Sequence, residues 1–465
     1  MAIATDRPTG TRRRIAIIGG GLSGAAMLCA LLDSGMDCQV ALYEPADEAG
    51  PGLAYGAAAP WHLLNVVASR ASLVENDPDH LWRWAKQNGP ALGWPDAAGC
   101  DGSSYLPRAL YGRYIVAHMD AAMARSPMPV EHRRVAVTGI ARHHDDLIVV
   151  SADGRQAAFD DVIFAVGARE ATAPAIDGLD TAPLITDPWQ LDSLRVIAQD
   201  ASIFILGSAL TMADTVLSLS HLGHRGPIHV LSRRGLVPEA RREDPMLPSG
   251  LDASDAGQPL SRLLQRLRRA VKTEGRANWQ RVFEGLRPFS NELWIGLSDD
   301  EKRRFQRHLR AFWDAHRFRM PPSTAVLLRQ LADAGRLQFH KGRMLRIAGG
   351  EIVWQPRGTS QSRALRADVM IDCTGPRRSA RDWKALLIDR LLEQGLLAPH
   401  STGFGLAANA QGQALDGTGH TVPGLCLLGP PMRGVLLECS AITDIRRQAA
   451  ALAGLFGRAQ MRAAG

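Results

Sequence analysis

The chain has 465 residues, 46% of them hydrophobic and 22% charged. That is enough for two or three domains with cores of their own, and it excludes a disordered or fibrous protein. The 54 Lys and Arg outweigh 47 Asp and Glu to leave a formal charge of +7, but the basic residues are scattered and none sits in a nucleic-acid motif, so no nucleic-acid partner is expected. The six cysteines (Cys29, Cys38, Cys100, Cys373, Cys426, Cys439) form no CxxC pair and no metal-ligand spacing, which points to reduced thiols in a cytoplasm and to no metal site.

Residues 1–13 read as a disordered tail. The run from Ile15 to Leu32 is nearly all apolar and follows a basic "TRRR", as a signal peptide does, but glycines crowd its first half and it is too short to span a membrane. It reads instead as a strand at Ile15–Ile18, a glycine turn, and a helix from about Leu22. Gly19, Gly21 and Gly24 have the G-x-G-x-x-G spacing. The first glycine makes the tight turn, the second lets a pyrophosphate approach the backbone, and the third lets helix and strand pack closely. Phosphates would rest on the helix N-terminus around Leu22 and Ser23, where free N–H groups and the dipole attract anions. Glu44 closes the next strand about twenty residues on, where a carboxylate binds ribose hydroxyls. An acid there disfavours a 2′-phosphate, leaving FAD or NAD as the ligand.

Further along lie "WHLLNVVAS", with His62 and Asn65, and "YLPRALYGRYI", with Arg108 and a helix on which Tyr111 and Tyr114 read as packing residues. "FDDVIFAVGARE" is a strand ending on Ala165-Val166-Gly167. "ILGSALTMADTVLSL" is a strand, a turn at Gly207 and a helix ending at Gly223, with Ala209 and Met212 where glycines would complete the pattern. Ala209 is small enough for a phosphate to come near, and Met212 implies a helix standing further from its strand. The following strand, "PIHVLSRRG", ends in Ser232-Arg233-Arg234, a hydroxyl and two guanidinium groups suited to a 2′-phosphate. The nucleotide site is expected to use Gly207, Ser208, Ala209, Leu210, Thr211 and these three residues, and to take NADPH over NADH. Residues 260–335 look largely helical and amphipathic, with Arg310, His316, Arg317 and Arg319 expected to line an inner side. "ADVMIDCTGPRRS" is a strand running to Cys373-Thr374-Gly375. "VPGLCLLGPPMRGVLLECSAITDIRRQAAAL" is a strand to Gly429 followed by a helix from about Glu438.

The stretches "PGLAYG", "HLLNV", "YLPRALYGRYI", "LGSALTMAD", "LSRRGLVP" and "FWDAHRFRMPP" together resemble the bacterial FAD/NAD(P)-binding protein family, distant kin of class B flavin monooxygenases and N-hydroxylases. The order of glycine turns also resembles that of flavoproteins with two dinucleotide domains. The resemblance covers nearly the whole chain and implies an α/β fold of two Rossmann-like dinucleotide-binding domains, the second inserted into the first. The expected division is 14–195 with 366–465 for FAD, and 196–365 for NAD(P)H, with a helical insertion at about 255–335. It implies non-covalent FAD, held by the Gly19–Gly24 turn and Glu44 together with Tyr43, Pro45, Leu53, Leu64, Asn65, Val137, Ala165, Val166, Gly167 and Gly429. In such flavoproteins the last helix points its N-terminus at the flavin pyrimidine, stabilising negative charge there.

The resemblance says little about substrate. No CxxC, iron–sulfur or quinone-anchoring segment offers an electron-transfer partner, so the expected activity is that of an NADPH-dependent monooxygenase with O2 as acceptor, hydroxylating a small polar metabolite through a flavin C4a-hydroperoxide. Asn65 is then a candidate for a hydrogen bond to the flavin, His62 for moving a proton, and Arg108 for binding pyrophosphate or a substrate carboxylate, or equally for a salt bridge at its helix end. A flavin reductase without oxygen insertion and a flavin-bearing redox-responsive binding protein remain the alternatives.

Overall fold

The computed structural model describes residues 12–167, 184–348, 351–375 and 386–464. In chain order the first stretch holds β1 (Arg13–Ile18), α1 (Leu22–Asp33), β2 (Cys38–Tyr43), α2 (Gly52–Gly56), α3 (His80–Asn88), α4 (Arg108–Arg125), β3 (Val130–Arg133), β4 (Val137–His143), β5 (Asp146–Ser151), β6 (Gln156–Phe159) and β7 (Asp161–Phe164). Then come β8 (Leu184–Ile185), α5 (Leu191–Arg195), β9 (Ile203–Leu206), α6 (Leu210–His221) and β10 (Ile228–Ser232). Five helices follow, α7 (Leu260–Thr273), α8 (Trp279–Leu286), α9 (Ser290–Ile295), α10 (Asp299–His308) and α11 (Arg310–Arg317). The chain continues with α12 (Pro322–Asp333), β11 (Leu337–Ala348), β12 (Glu351–Pro356), β13 (Arg363–Arg366) and β14 (Val369–Asp372). It closes with α13 (Leu386–Glu393), β15 (Gln413–Leu415), β16 (Thr421–Leu427) and α14 (Ile442–Ala464).

Two open sheets dominate. The first has the order β15-β16-β7-β1-β2-β3 and the second β13-β12-β11-β10-β9-β14-β8, with β4-β5-β6 as a small antiparallel sheet beside the first. The first sheet is interrupted after β7 and resumed at β15, so the second unit is inserted into the first, as the sequence implied. In each sheet the central strand is buried on both faces, which explains its unbroken apolar run. Ile15 and Ile17 point into the core beneath α1, while Ala16 and Ile18 enter the core on the other face. Ile203 and Ile205 against Phe204 and Leu206 repeat that alternation in the second sheet. The apolar run 15–32 is therefore a strand plus a helix, and no helix among the described residues is long and apolar enough to cross a membrane.

Four expected boundaries move. The expected first unit includes residues up to 195 and those from 366 on, yet β14 pairs with β9 and β8, placing Val369–Asp372 and Leu184–Ile185 in the second sheet. The expected helical insertion runs to about 335, but α12 packs against α6 and puts Leu328 and Leu331 into the second sheet's core. It is the crossover that a parallel β10–β11 pair requires. A short bridge between Ala240 and Met320, with Arg241 N–H donating to the Met320 carbonyl at 2.8 Å, forms the neck of the insertion instead. Finally, Arg13 opens β1 rather than closing the tail; residues 1–11 lie outside the described part.

Candidate functional site: two dinucleotide turns and a buried arginine cluster

The first turn is built around crowding that only glycine tolerates. Gly19 has φ +98°, and a Cβ on it would lie 2.7 Å from the Ala165 carbonyl oxygen. A Cβ on Gly24 would meet the Gly19 carbonyl oxygen at 2.0 Å. Gly21 is different: its φ of −70° suits any residue, and its missing side chain faces only the Gly52 Cα at 3.4 Å. Its hydrogen therefore leaves room over the first turn of α1, where no acidic residue and no capping side chain occupies the free N–H groups. That is the cradle an anionic pyrophosphate fits. Gly429 returns beside it, with a virtual Cβ 2.4 Å from the Ser23 hydroxyl oxygen, and its N–H donates to the Gln448 carboxamide of α14 at 3.0 Å. That helix starts at Ile442, a turn later than the expected Glu438.

Glu44 is fixed by two backbone donors, Gly20 N–H at 2.8 Å and Ala46 N–H at 3.1 Å. Carboxylate oxygens carry further lone pairs, so ribose hydroxyls remain acceptable partners. Gly20 is a residue the spacing argument passed over: a Cβ there would sit 2.6 Å from the Glu44 Cβ. The signal is in the sequence as the middle glycine of the "GGG" run. Among the flanking positions, Tyr43, Leu64, Val137 and Ala165 are buried, Asn65, Val166 and Gly167 are partly so, and Pro45 and Leu53 are exposed. The Tyr43 hydroxyl is held by Arg133 at 2.6 Å. The Asn65 carboxamide has no hydrogen-bond partner among the described residues.

The second turn repeats the first. Gly19 N–H donates to the Tyr43 carbonyl and Gly207 N–H to the Leu231 carbonyl, both at 2.9 Å. Ala165 N–H donates to Ile18, and Cys373 N–H to Leu206, at 2.9 and 2.7 Å. A Cβ on Gly207 would meet the Cys373 carbonyl oxygen at 2.4 Å, as one on Gly19 meets Ala165. The Cys373-Thr374-Gly375 turn is thus the second unit's counterpart of Ala165-Val166-Gly167. Ala209 stands at the α6 N-cap with φ −90° and ψ −164°, against −70° and −166° for Gly21. The backbone at this position never required glycine, so alanine leaves the turn intact. Met212 is fully buried in the core between α6 and its sheet. At the end of β10, Ser232 accepts the Gly235 N–H, and Arg234 stacks on Phe312 with its guanidinium carbon 5.0 Å from the ring centre. Arg233 is exposed and has no ion pair among the described residues.

Two candidate catalytic residues are occupied elsewhere. Arg108 donates to both oxygens of Asp214 on α6, at 2.8 and 3.3 Å, and to the Leu63 carbonyl at 2.9 Å. Of its two open readings, pyrophosphate or carboxylate ligand against salt bridge, the geometry supports the salt bridge, although the partner lies in the other unit. His62 is buried; its Nδ1 accepts the Ala59 N–H at 3.2 Å, which leaves the proton on Nε2 facing the Ser218 hydroxyl at 2.8 Å. Burial lowers its pKa despite nearby Asp214, so it stays a neutral brace. Trp61 completes the contact by donating to Ser218 and stacking on His221.

The four basic residues expected along one inner face separate. His316 caps back onto the Phe312 carbonyl and packs on Trp279. Arg310 pairs with Asp314 at 2.8 Å. Arg317 and Arg319 are buried: Arg317 donates to Glu438, and Arg319 to Gln280 and Glu284. Around them gather Arg70, Arg241 and Arg287, all ion-paired with Glu284. Burial raises the Glu284 pKa, but the guanidinium groups of Arg241, Arg319, Arg287 and Arg70 outweigh it and hold the carboxyl at about 2. Burial and the neighbouring Glu438 push Asp444 the other way, upward. The cluster has donors to spare. Arg241 Nη2, Arg287 Nε, Arg317 Nη2 and Arg319 Nε are buried without a hydrogen-bond partner among the described residues. Glu438 is joined to the insertion through reciprocal backbone bonds with the Asn291 carboxamide, at 2.8 and 2.9 Å, so the cluster borders the 429–440 segment that follows β16.

Two Rossmann-like units, one within the other and each closed by the same glycine turn, define the class: a two-dinucleotide α/β fold. Residues 16–169 match the family model described as FAD-NAD(P)-binding, so the first unit carries a domain of that type. A search of curated protein sequences found no match. Among solved structures, the chain is similar to the ornithine N-hydroxylase of Kutzneria sp. 744, at 14% identity and TM-score 0.63, covering 97% of this chain and 100% of that one. It is also similar to the L-lysine 6-monooxygenase of Pseudomonas syringae, at 14% identity and TM-score 0.64 with the same coverage. A flavin-containing monooxygenase from Stenotrophomonas maltophilia aligns at 16% identity and TM-score 0.55, covering 97% and 99%. At these identities the likeness establishes the fold.

Proposed function

We propose that the protein is an FAD-dependent, NADPH-using monooxygenase that hydroxylates a small anionic metabolite. The observation that carries this is the repeated turn: two anion cradles of the same backbone geometry, at Gly19 and Gly207, on facing units braced by Arg108–Asp214. The likeness to structures whose titles name ornithine and lysine hydroxylation supports the oxygen-inserting reading.

Bound FAD would take two electrons from NADPH and hand them to O2, so that NADPH, a proton, O2 and a C–H or N–H bond become NADP⁺, water and a hydroxyl. The protein supplies the rest. The α1 N-terminus and Glu44 would hold the FAD pyrophosphate and ribose, and the α6 N-terminus with Ser232 and Arg233 would hold NADPH. Asn65, its carboxamide uncommitted among the described residues, would bond the flavin ring. The unpartnered N–H groups of Arg287, Arg317 and Arg319 favour a substrate bearing a carboxylate or similar anion, because buried donors without partners are costly until a ligand supplies acceptors.

The test is stoichiometric. FAD-loaded protein is given NADPH and O2 with a panel of amino and hydroxy acids, and NADPH consumed is compared with peroxide and hydroxylated product. A substrate that suppresses peroxide while product matches NADPH supports the monooxygenase. Equal peroxide across the panel identifies a reductase, and absence of any NADPH oxidation leaves a flavin-binding protein.

A further inference from the structure

The insertion has a second interior, away from the Gly19 and Gly207 turns. Helices α7 to α11 line a half-open cavity of about 650 Å³, within the range of small-molecule sites. Its wall is aromatic, with Trp279, Phe283, Trp294, Phe305 and Trp313, and Leu437 from the 429–440 segment forms part of it. Trp294 is tied to that segment, its Nε1–H donating to the Gly434 carbonyl at 3.0 Å.

The charged groups on the lining have one sign. Arg268, Lys272, Arg276 and the titratable His316 contribute to it, and no carboxylate does. Arg268 and Lys272 lie one turn apart on α7, and both are exposed, as is Arg276. None of these three has an ion pair among the described residues. Some arginines elsewhere on the insertion are paired, Arg266 with Asp255, Arg303 with Asp300 and Arg304 with Glu301. At this mouth the cations instead border an apolar wall that carries no carboxylate.

We propose that this cavity binds an amphipathic anion: a hydrocarbon or aryl body seated against the tryptophans, with one carboxylate head at Arg268 and Lys272. The body is driven in by loss of water from the aromatic wall, and the head selects by charge. The site is separate from both glycine turns, so the inference does not rest on the proposed oxidation.

Isothermal titration of the full-length FAD-loaded protein, oxidised and without nucleotide, provides the test. Decanoate, decanol and decyltrimethylammonium serve as probes of one chain length and three charges. Decanoate is expected to bind saturably at one molecule per chain, with decanol at least ~10-fold weaker and the cation weaker still. Arg268→Gln with Lys272→Gln, both on the surface, should lower decanoate affinity ~10-fold and leave decanol unchanged. The absence of saturable decanoate binding, equal affinity for the three probes, or indifference of decanoate to the double substitution would each overturn the proposal.

Discussion

Arg108 grips both carboxylate oxygens of Asp214, joining the N-terminal end of α4 in the first unit to the middle of α6 in the second. Both side chains are largely buried, at 13% and 11% exposure. With His62 and Trp61 on Ser218, this contact sets how the two nucleotide cradles face each other.

Because breaking a buried pair leaves a charge without compensation, Arg108→Ala and Asp214→Ala should each cost ~3 kcal/mol of stability. The double substitution should cost clearly less than the sum of the two. Urea denaturation of the four proteins reads the coupling, and simple additivity would show that the pair is not a brace.

Gly21→Val should abolish FAD retention while the protein stays folded, because a Cβ there meets only the Gly52 Cα, at 3.4 Å, and the branched side chain beyond it would enter the space over the first turn of α1 where the pyrophosphate would lie. Gly24→Ala, whose Cβ would sit 2.0 Å from the Gly19 carbonyl oxygen, should instead lower stability itself. Flavin content after gel filtration, set beside the melting temperature, separates the two effects. Ala209→Gly should fold normally and tighten NADPH binding, since the backbone there is already extended.

Arg233→Ala should reduce the preference for NADPH over NADH by ~10- to 100-fold, the worth of a lost charge-assisted bond to the 2′-phosphate. Arg234→Ala should do less, its guanidinium being stacked on Phe312. Flavin reduction rates with each nucleotide decide this, and an unchanged ratio for Arg233→Ala removes Ser232-Arg233-Arg234 from the site.

Acid should weaken the fold in two stages. Burial lowers the His118 pKa from 6.5 to about 4. As pH falls through that window the unfolded chain binds a proton that the folded one refuses, and stability drops. Glu284 is held at about 2 against an ordinary 4.5. Its ion-pair contribution of ~3 kcal/mol is complete above pH 4.5 and is lost on the way down to 2. Glu284→Gln should erase the second stage in pH-dependent urea melts and leave the first.

What the sequence alone determined was local. Alternating apolar pairs on two buried faces made β1 and β9 legible, and the spacing of Gly19, Gly21 and Gly24 encoded a strand–turn–helix unit, with Gly24 crowded by Gly19 only five positions back. The Gly207 turn was legible for the same reason, and the N-cap dihedrals of Ala209 show that its backbone does not require glycine. Tertiary structure decided the rest. Nothing in "ADVMIDC" says which sheet it joins, because any apolar strand can lie beside either central strand; its pairing with β9 placed it in the second. Arg108 offers the same guanidinium to a phosphate as to Asp214, 106 positions away, and only the docking of α4 on α6 chose between them. The buried arginines around Glu284 and the aromatic cavity behind Leu437 likewise draw on segments far apart in the chain. Periodicity reports which face of an element is buried, but the partner across that face is set by how whole elements pack, and the function of a charged side chain follows from that partner.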